Sequence, residues 1–299
     1  MPMGPSPRDT RSEFASGPRV PGAVFFDIDD VSSPSRLPHM RPSSTTFARV
    51  MDRMGISPED TVFVYALEGC AFAHRAYWTF AFAGYHDPCR VKLVQGSLDE
   101  WERCGGPLDR EAILDGSGGD GRMFRASELK SDSPPRYVTF RNNDGGDNQS
   151  VADADGVLAV VDGTATDALT TIVVDARSAG RFHGRDPEPR PGLRGGHIPG
   201  SINVPFISLL DPADVTRFRP MEEVRAIFVE AGIEPLGNGG DGAPPRKRRV
   251  ICTCGSGVTA AALAVGLEEC GLREKGDISI YDGSWIDWGG RDDTPIATD

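Results

Sequence analysis

No run of apolar residues in the 299-residue chain approaches the ~18 that a membrane-spanning helix requires, so nothing in the sequence points to a bilayer. Positive charge is scarce: Lys and Arg number 32 against 44 Asp and Glu, a formal charge of −12. That balance excludes a general polyphosphate-binding surface and argues against nucleic acid as a partner. Metal-ligand spacing is missing as well. The cysteines (70, 89, 104, 252, 254, 270) form no C-x-x-C pair and the histidines (39, 74, 86, 183, 197) are scattered, so no metal and no cofactor is expected. No charged-then-apolar leader precedes a small-residue cleavage site, which removes the case for secretion and a disulfide framework. Arg8, Arg11 and Arg19 are interrupted by Asp9 and Glu13, a poor transit peptide. The expected setting is reducing, cytoplasmic or mitochondrial, where a cysteine is free to work as a thiol.

What the chain has in quantity is Gly (36) and Pro (24), about a fifth of all residues, the mark of a loop-rich protein. Its length predicts two domains. In the first half, strand-like runs at 22–27, 61–67 and 90–94 alternate with helical patterns at 44–54 and 72–83. In the second, strands are expected at 170–177, 250–254 and 278–283, and helices at 220–231 and 258–270. This alternation predicts an α/β protein whose mostly parallel sheets are flanked by helices. Polar Gly-rich stretches such as DGSGGDG (115–121) and NNDGGDNQSVADADG (142–156) read as a flexible linker. The expected division is 1–105, linker 106–155, and 156–299. A second Gly/Pro-rich insert covers 237–249, and its RKRR reads as a solvated loop rather than a nucleic-acid or import signal.

The segment VICTCGSGVTAAA (250–262) carries the chemistry. A buried strand ends at Cys254, a turn of Gly255, Ser256 and Gly257 follows, and a helix starts at Val258 or Thr259. Glycines let successive N–H groups turn toward one point, and the helix start adds donors and the positive end of a dipole. A thiol at Cys254 would sit at the mouth of that cradle, which suits a sulfur anion. Cys252, on the preceding strand, reads as core, with a redox partner of Cys254 as the alternative. Cys70, Cys89, Cys104 and Cys270 read as inert packing.

Together with CGSGVTA (254–260), the runs DARSAGRFHGRDPEPRPG (175–192), GHIPGSINVPF (196–206), YDGSWIDWG (281–289), PGAVFFDID (21–29) and LPHMRPS (37–43) give the chain a specific likeness. It resembles the tandem-domain rhodanese family, in its 3-mercaptopyruvate/thiosulfate sulfurtransferase branch, over about 14–103 and 170–295. The resemblance implies two rhodanese-like domains, the first non-catalytic and lacking its N-terminal strand, the second catalytic. It further implies that Cys254 takes a sulfur atom from a small-molecule donor as a persulfide and passes it to a thiol, possibly thioredoxin, or to cyanide. The N–H groups of Gly255, Gly257, Val258 and Thr259 and the Ser256 and Thr259 hydroxyls would hold that sulfur. Arg181 and Arg190 match the family's substrate arginines, whose planar guanidinium pairs with a donor carboxylate. Ion pairs with Asp186 or Glu188 are the structural alternative. Ser256, His39 and Asp29 match a proton relay, against an interface or capping role for His39.

Other family motifs read as scaffold. His197 would tie a loop to the backbone, Trp285 and Trp288 would pack a domain edge, and Asp175 would order its loop through Arg177. The chain departs from the family pattern at Ala66 and Asp287, where Asp and Glu are usual, and at Arg19–Gly22, which lacks a histidine. A phosphatase using the same loop needs Arg six residues after the cysteine to clamp the phosphoryl oxygens. This chain has Ala260 there, which excludes that activity. The alternative reading is a non-catalytic rhodanese module for protein interaction.

Overall fold

In the strands of the second half, apolar side chains point both ways. The computed structural model describes residues 8–33, 35–81, 87–113, 150–235 and 249–298. Within it, TIVVD and ISIY are buried at every position, as strands are when helices cover both faces of a parallel sheet.

The first half runs α1 (Thr10–Ser16), α2 (Ile28–Val31), α3 (Ser44–Met54), β1 (Val62–Val64), α4 (Ala73–Ala81), β2 (Val91–Leu93) and α5 (Leu98–Arg103). The second runs β3 (Val151–Ala152), α6 (Ala154–Val161), β4 (Thr171–Asp175), α7 (Ala179–Phe182), β5 (Ile202–Asn203), α8 (Met221–Glu230), β6 (Arg249–Thr253), α9 (Ala260–Glu269), β7 (Ile278–Tyr281) and α10 (Ser284–Trp288). Among the described residues, β1 and β2 form a two-stranded parallel sheet. Strands β3–β7 form a five-stranded sheet in the order β3-β7-β6-β4-β5, parallel throughout.

Alternation along each strand assigns side chains to the two faces. Ile172, Val174, Val250, Cys252, Ile278 and Ile280 face α8 and α9, while Val173, Ile251 and Tyr281 face α6 and α10, with Trp285 and Trp288 buried among them. The tryptophans thus fill a core rather than an edge. The α9 side of the core continues without a break into the first half, through Trp78 and Phe80 of α4 and Phe47, Val50 and Met51 of α3. Further links cross between the halves: Phe218 N–H donates to Gln95 Oε1 at 2.8 Å, the His74 and Phe218 rings lie 4.6 Å apart, and Lys275 donates to the Ala81 carbonyl.

Helix α3 has the range expected for it. Ser43 Oγ accepts the Thr46 N–H at 3.1 Å, Gly55 closes the helix at φ +70°, and Phe47, Val50, Met51 and Met54 fall on one stripe. Other expectations need correction. Residues 22–27 are not a strand: among the described residues no strand pairs with them, and Asp27 caps α2, with its side chain accepting the Asp29 N–H. Strand β1 spans three residues of the expected 61–67, and α9 begins at Ala260 rather than Val258 or Thr259. The supposed linker is used at both ends. Asp109 pairs with Arg19 in an antiparallel bridge, the Ile113 N–H donates to the Ala15 carbonyl, and Val151–Ala152 pairs with β7. Residues 114–149 and 236–248 of the two inserts lie outside the described residues, while Arg249 of RKRR opens β6 and pairs with Asp167 at 2.8 Å. Cys89 and Cys104 are exposed, so neither is packing. Among the described residues no helix is long and apolar enough to cross a membrane.

Candidate active site

Cys254 follows the last residue of β6, at the carboxyl end of a strand flanked on both sides, where open α/β sheets present their sites. The start of α10 grips its backbone. Ser284 Oγ accepts the Cys254 N–H at 3.1 Å, and the Cys254 and Gly255 carbonyls accept the N–H groups of Trp285 and Ile286, each at 3.0 Å. The chain then turns through Gly257 at φ +78°, where a Cβ would stand 2.6 Å from the Asp282 carbonyl oxygen, so only glycine fits. Among the described residues, the N–H groups from Gly255 through Ala260 donate to no protein acceptor. Six donors and the start of a ten-residue helix therefore stand uncommitted beside one thiol. Cys254 is 2% exposed, so it lies on the floor of this loop rather than at its mouth. Cys252 faces the core, where burial pushes its thiol well up; it is a packing residue.

The two arginines differ. Arg181, on α7, lies over the cysteine loop: a Cβ on Gly255 would stand 3.0 Å from its Nη2. Glu188 holds it at 2.6 Å, and the same buried carboxylate receives Arg177 Nη1 at 2.9 Å. Arg181 thus makes the ion pair with Glu188 named as its alternative role. Arg190 is exposed and forms no ion pair among the described residues; its Nη2 lies 3.4 Å from His39 Nε2.

His39 comes from the first half, in the left-handed region at φ +61°. Its Nδ1 makes a short contact with Asp29 Oδ1. Arginine can only donate, so Nε2 accepts and the proton sits on Nδ1, directed at Asp29. The structure brings Asp29, His39 and Arg190 together across the two halves. It does not complete the relay: the Ser256 hydroxyl makes no hydrogen bond among the described residues, and Thr259 caps α9 without a side-chain bond. The Val258 and Thr259 carbonyls accept the N–H groups of Ala261 and Ala262, which tightens the first turn of the helix. Among the described residues no group of three His, Cys, Asp or Glu side chains is placed to hold a metal ion.

Residues 161–291 match the rhodanese-like domain family. Over 284 residues the chain is 33% identical to the human 3-mercaptopyruvate sulfurtransferase, covering 94% of this chain and 80% of the relative. It is 32% identical to the Escherichia coli 3-mercaptopyruvate sulfurtransferase over 294 residues, 98% of this chain and 88% of the relative. The chain belongs to the 3-mercaptopyruvate sulfurtransferase family. Solved structures agree. The crystal structure of Tum1 from Saccharomyces cerevisiae superposes with a TM-score of 0.70 at 28% identity, covering 94% of this chain and 83% of that one. SseA from Escherichia coli gives 0.65 at 29% identity, covering 93% and 87%.

Two residues of this sulfurtransferase escaped the sequence reading. Arg75, on α4 and 2% exposed, sends Nη2 to the His39 carbonyl at 2.6 Å and Nη1 to the Gly257 carbonyl at 3.1 Å. Asp282 lies 2.7 Å from Nη1, and its other oxygen accepts the Arg41 N–H, also at 2.7 Å. The available signal was a full charge, Arg75, on a helix otherwise rich in alanine and aromatic residues, AHRAYWTFA. The scaffold roles hold. His197 Nδ1 meets the Phe182 carbonyl at 3.0 Å, and Asp175 pairs with Arg177 at 2.7 Å, beneath 4.1 Å cation–π contact with Trp285.

Proposed function

We propose that this sulfurtransferase takes the sulfur of 3-mercaptopyruvate onto Cys254 and passes it to a thiol or to cyanide. The supporting observation is the row of N–H groups from Gly255 to Ala260 beside a thiol, uncommitted among the described residues, with the exposed guanidinium of Arg190, which meets no carboxylate among them. In the first step the Cys254 thiolate attacks the donor's sulfur and a new S–S bond forms. The C–S bond breaks with its electrons left on carbon as the enolate of pyruvate, which takes up the proton that the donor's S–H group gives up, so that the outer sulfur is left as the persulfide anion. Loop N–H groups stabilise the persulfide anion, Arg190 pairs with the donor carboxylate, and His39, oriented by Asp29, serves the proton step. Arg181 stays with Glu188 and holds the loop's outer side. In the second step the acceptor's sulfur, or the carbon of cyanide, attacks the outer sulfur and Cys254 leaves as thiolate. The near-complete cover over Cys254 keeps water from the persulfide.

The neutral Gly255-Ser256 pair suits a monocarboxylate better than the thiosulfate dianion, which is the second donor in this reading. The domain assignment follows: residues 156–299 catalytic, joined by β3, and residues 1–105 a partner half that supplies Asp29 and His39 to the site. A relative from Arabidopsis is named as mitochondrial, and yeast complex I has a sulfur transferase subunit of similar structure, with a TM-score of 0.72. Thioredoxin is one protein thiol that fits the acceptor's chemistry in this reading, beside a cysteine of a carrier protein. Intact-mass measurement after incubation with 3-mercaptopyruvate tests it. Gain of one sulfur atom, lost in Cys254→Ser, is the expected result. No gain with either donor returns the chain to a non-catalytic interaction module.

A further inference from the structure

We propose that Arg75 is a positioning residue for the sulfur-transfer step, fixing the cysteine loop of one half and the His39 turn of the other in a single arrangement. The inference rests on the reading of Cys254 as the sulfur carrier. It starts from a buried cation that no part of that mechanism uses. One guanidinium donates to two backbone carbonyls, Gly257 at 3.1 Å and His39 at 2.6 Å, which lie in different halves of the chain. It is itself fixed, stacked 4.7 Å over Trp78 and paired with Asp282 at 2.7 Å. Asp282 in turn holds the Arg41 N–H, two residues after His39.

The geometry has a direct consequence for the loop. A peptide unit is planar and trans, so fixing the Gly257 carbonyl toward Arg75 fixes the Val258 N–H on the opposite side of the same plane. Gly257 at φ +78° has no side chain to resist rotation of that plane. The Val258 N–H is one of the uncommitted donors, and the Arg75 contact sets its direction. The same contact at His39 holds a residue in a left-handed conformation that a histidine seldom adopts. Arg75 touches neither donor nor sulfur. Its removal therefore changes how well the loop stabilises a sulfur anion while leaving donor affinity to Arg190.

The test uses the full chain with Arg75→Gln and Arg75→Lys, and Asp282→Asn as a gentler route that keeps the guanidinium but removes its anchor. The folded fraction is first isolated by gel filtration, and the thiol titrated is that of Cys254 alone, read by mass mapping of its own peptide, because Cys89 and Cys104 are exposed as well. Then the rate of Cys254 alkylation by iodoacetamide is followed against pH, and kcat and KM for 3-mercaptopyruvate are measured per titrated thiol. Loss of an oriented donor to an anion predicts kcat lower by about 10²-fold in Arg75→Gln with KM within about twofold. The midpoint of the alkylation profile moves up in all three variants, least in Asp282→Asn. Lysine, which lacks the fork needed to reach both carbonyls, restores kcat only in part. Wild-type kcat and midpoint per titrated thiol in the folded variants would overturn the proposal and leave Arg75 a scaffold residue. Alkylation needs no sulfur donor. If the wild-type protein gains no sulfur from any donor, the transfer reading fails, while the midpoint shift still reports on the loop.

Discussion

Arg190 of the second half meets His39 of the first, Nη2 to Nε2 at 3.4 Å, and among the described residues no carboxylate opposes the guanidinium. A carboxylate arriving there finds a cation not already neutralised, unlike Arg181, which Glu188 holds at 2.6 Å. A charge-assisted hydrogen bond contributes roughly 1.5–3 kcal/mol, which corresponds to about 10- to 100-fold in affinity. Arg190→Ala should therefore raise KM for 3-mercaptopyruvate by that factor and change KM for thiosulfate, which has no carboxylate, much less. Steady-state kinetics with both donors decides it; equal effects on the two would remove Arg190 from carboxylate recognition.

The two donors also differ in their protons. Mercaptopyruvate leaves an enolate that must be protonated, whereas thiosulfate leaves sulfite, a stable anion. A base-and-acid role for His39 thus matters for one donor only. His39→Asn keeps a residue type that tolerates φ +61°. Its kcat should fall by about 10²-fold with mercaptopyruvate and by no more than a few-fold with thiosulfate. Parallel losses with both donors would mark His39 as a structural residue of the turn.

Local patterns made much of this legible. The helix over 44–54 announced itself through Ser44/Thr45 and Gly55, although the capping oxygen is that of Ser43, and the buried parallel strands through short apolar β-branched and aromatic runs. The cysteine loop was readable because glycine, strand end and helix start are all encoded within a dozen residues. What local sequence does not encode is the distant partner. Phe25 and Phe26 look like strand residues, yet strand formation requires a neighbour to hydrogen-bond with, and residues 22–27 pair with none among the described residues. Arg75 and Asp282 are 207 positions apart; Arg75 lies in none of the quoted motifs, and YDGSWIDWG, which contains Asp282, names no partner, so only the folded chain makes them an ion pair. The same limit explains Ser256, for which the family resemblance implied a relay that its hydroxyl does not join among the described residues.

In the proposed function, Ser256 bears on donor choice through its lack of charge. A lysine at this place would add a cation beside the row of loop N–H groups, favouring a dianion over a monoanion by the additional Coulomb interaction. Ser256→Lys should raise kcat/KM for thiosulfate relative to 3-mercaptopyruvate by about tenfold, the equivalent of 1.4 kcal/mol. A ratio of specificities equal to that of the wild type would show that loop charge does not select the donor.

His74 gives the contact between the halves a pH dependence. Its ring is 2% exposed against Phe218, Nδ1 reaches the Ala71 carbonyl only at 3.5 Å, and Nε2 is buried without a partner among the described residues. Burial therefore favours the neutral ring and pushes its pKa down from 6.5 to about 4. The unfolded chain binds this proton near pH 6.5 and the folded chain only near 4, so between those values the unfolded state carries more protons. The stability linked to His74 is complete above pH 6.5 and is lost as the pH falls toward 4. The full loss is about 3 kcal/mol at 1.36 kcal/mol per pKa unit. Methionine has similar bulk and cannot titrate. Urea unfolding at pH 7 and pH 4 should show wild type losing about 3 kcal/mol more than His74→Met over that interval. Equal losses in the two proteins would mean that the His74 ring takes up its proton in the folded state as readily as in the unfolded one.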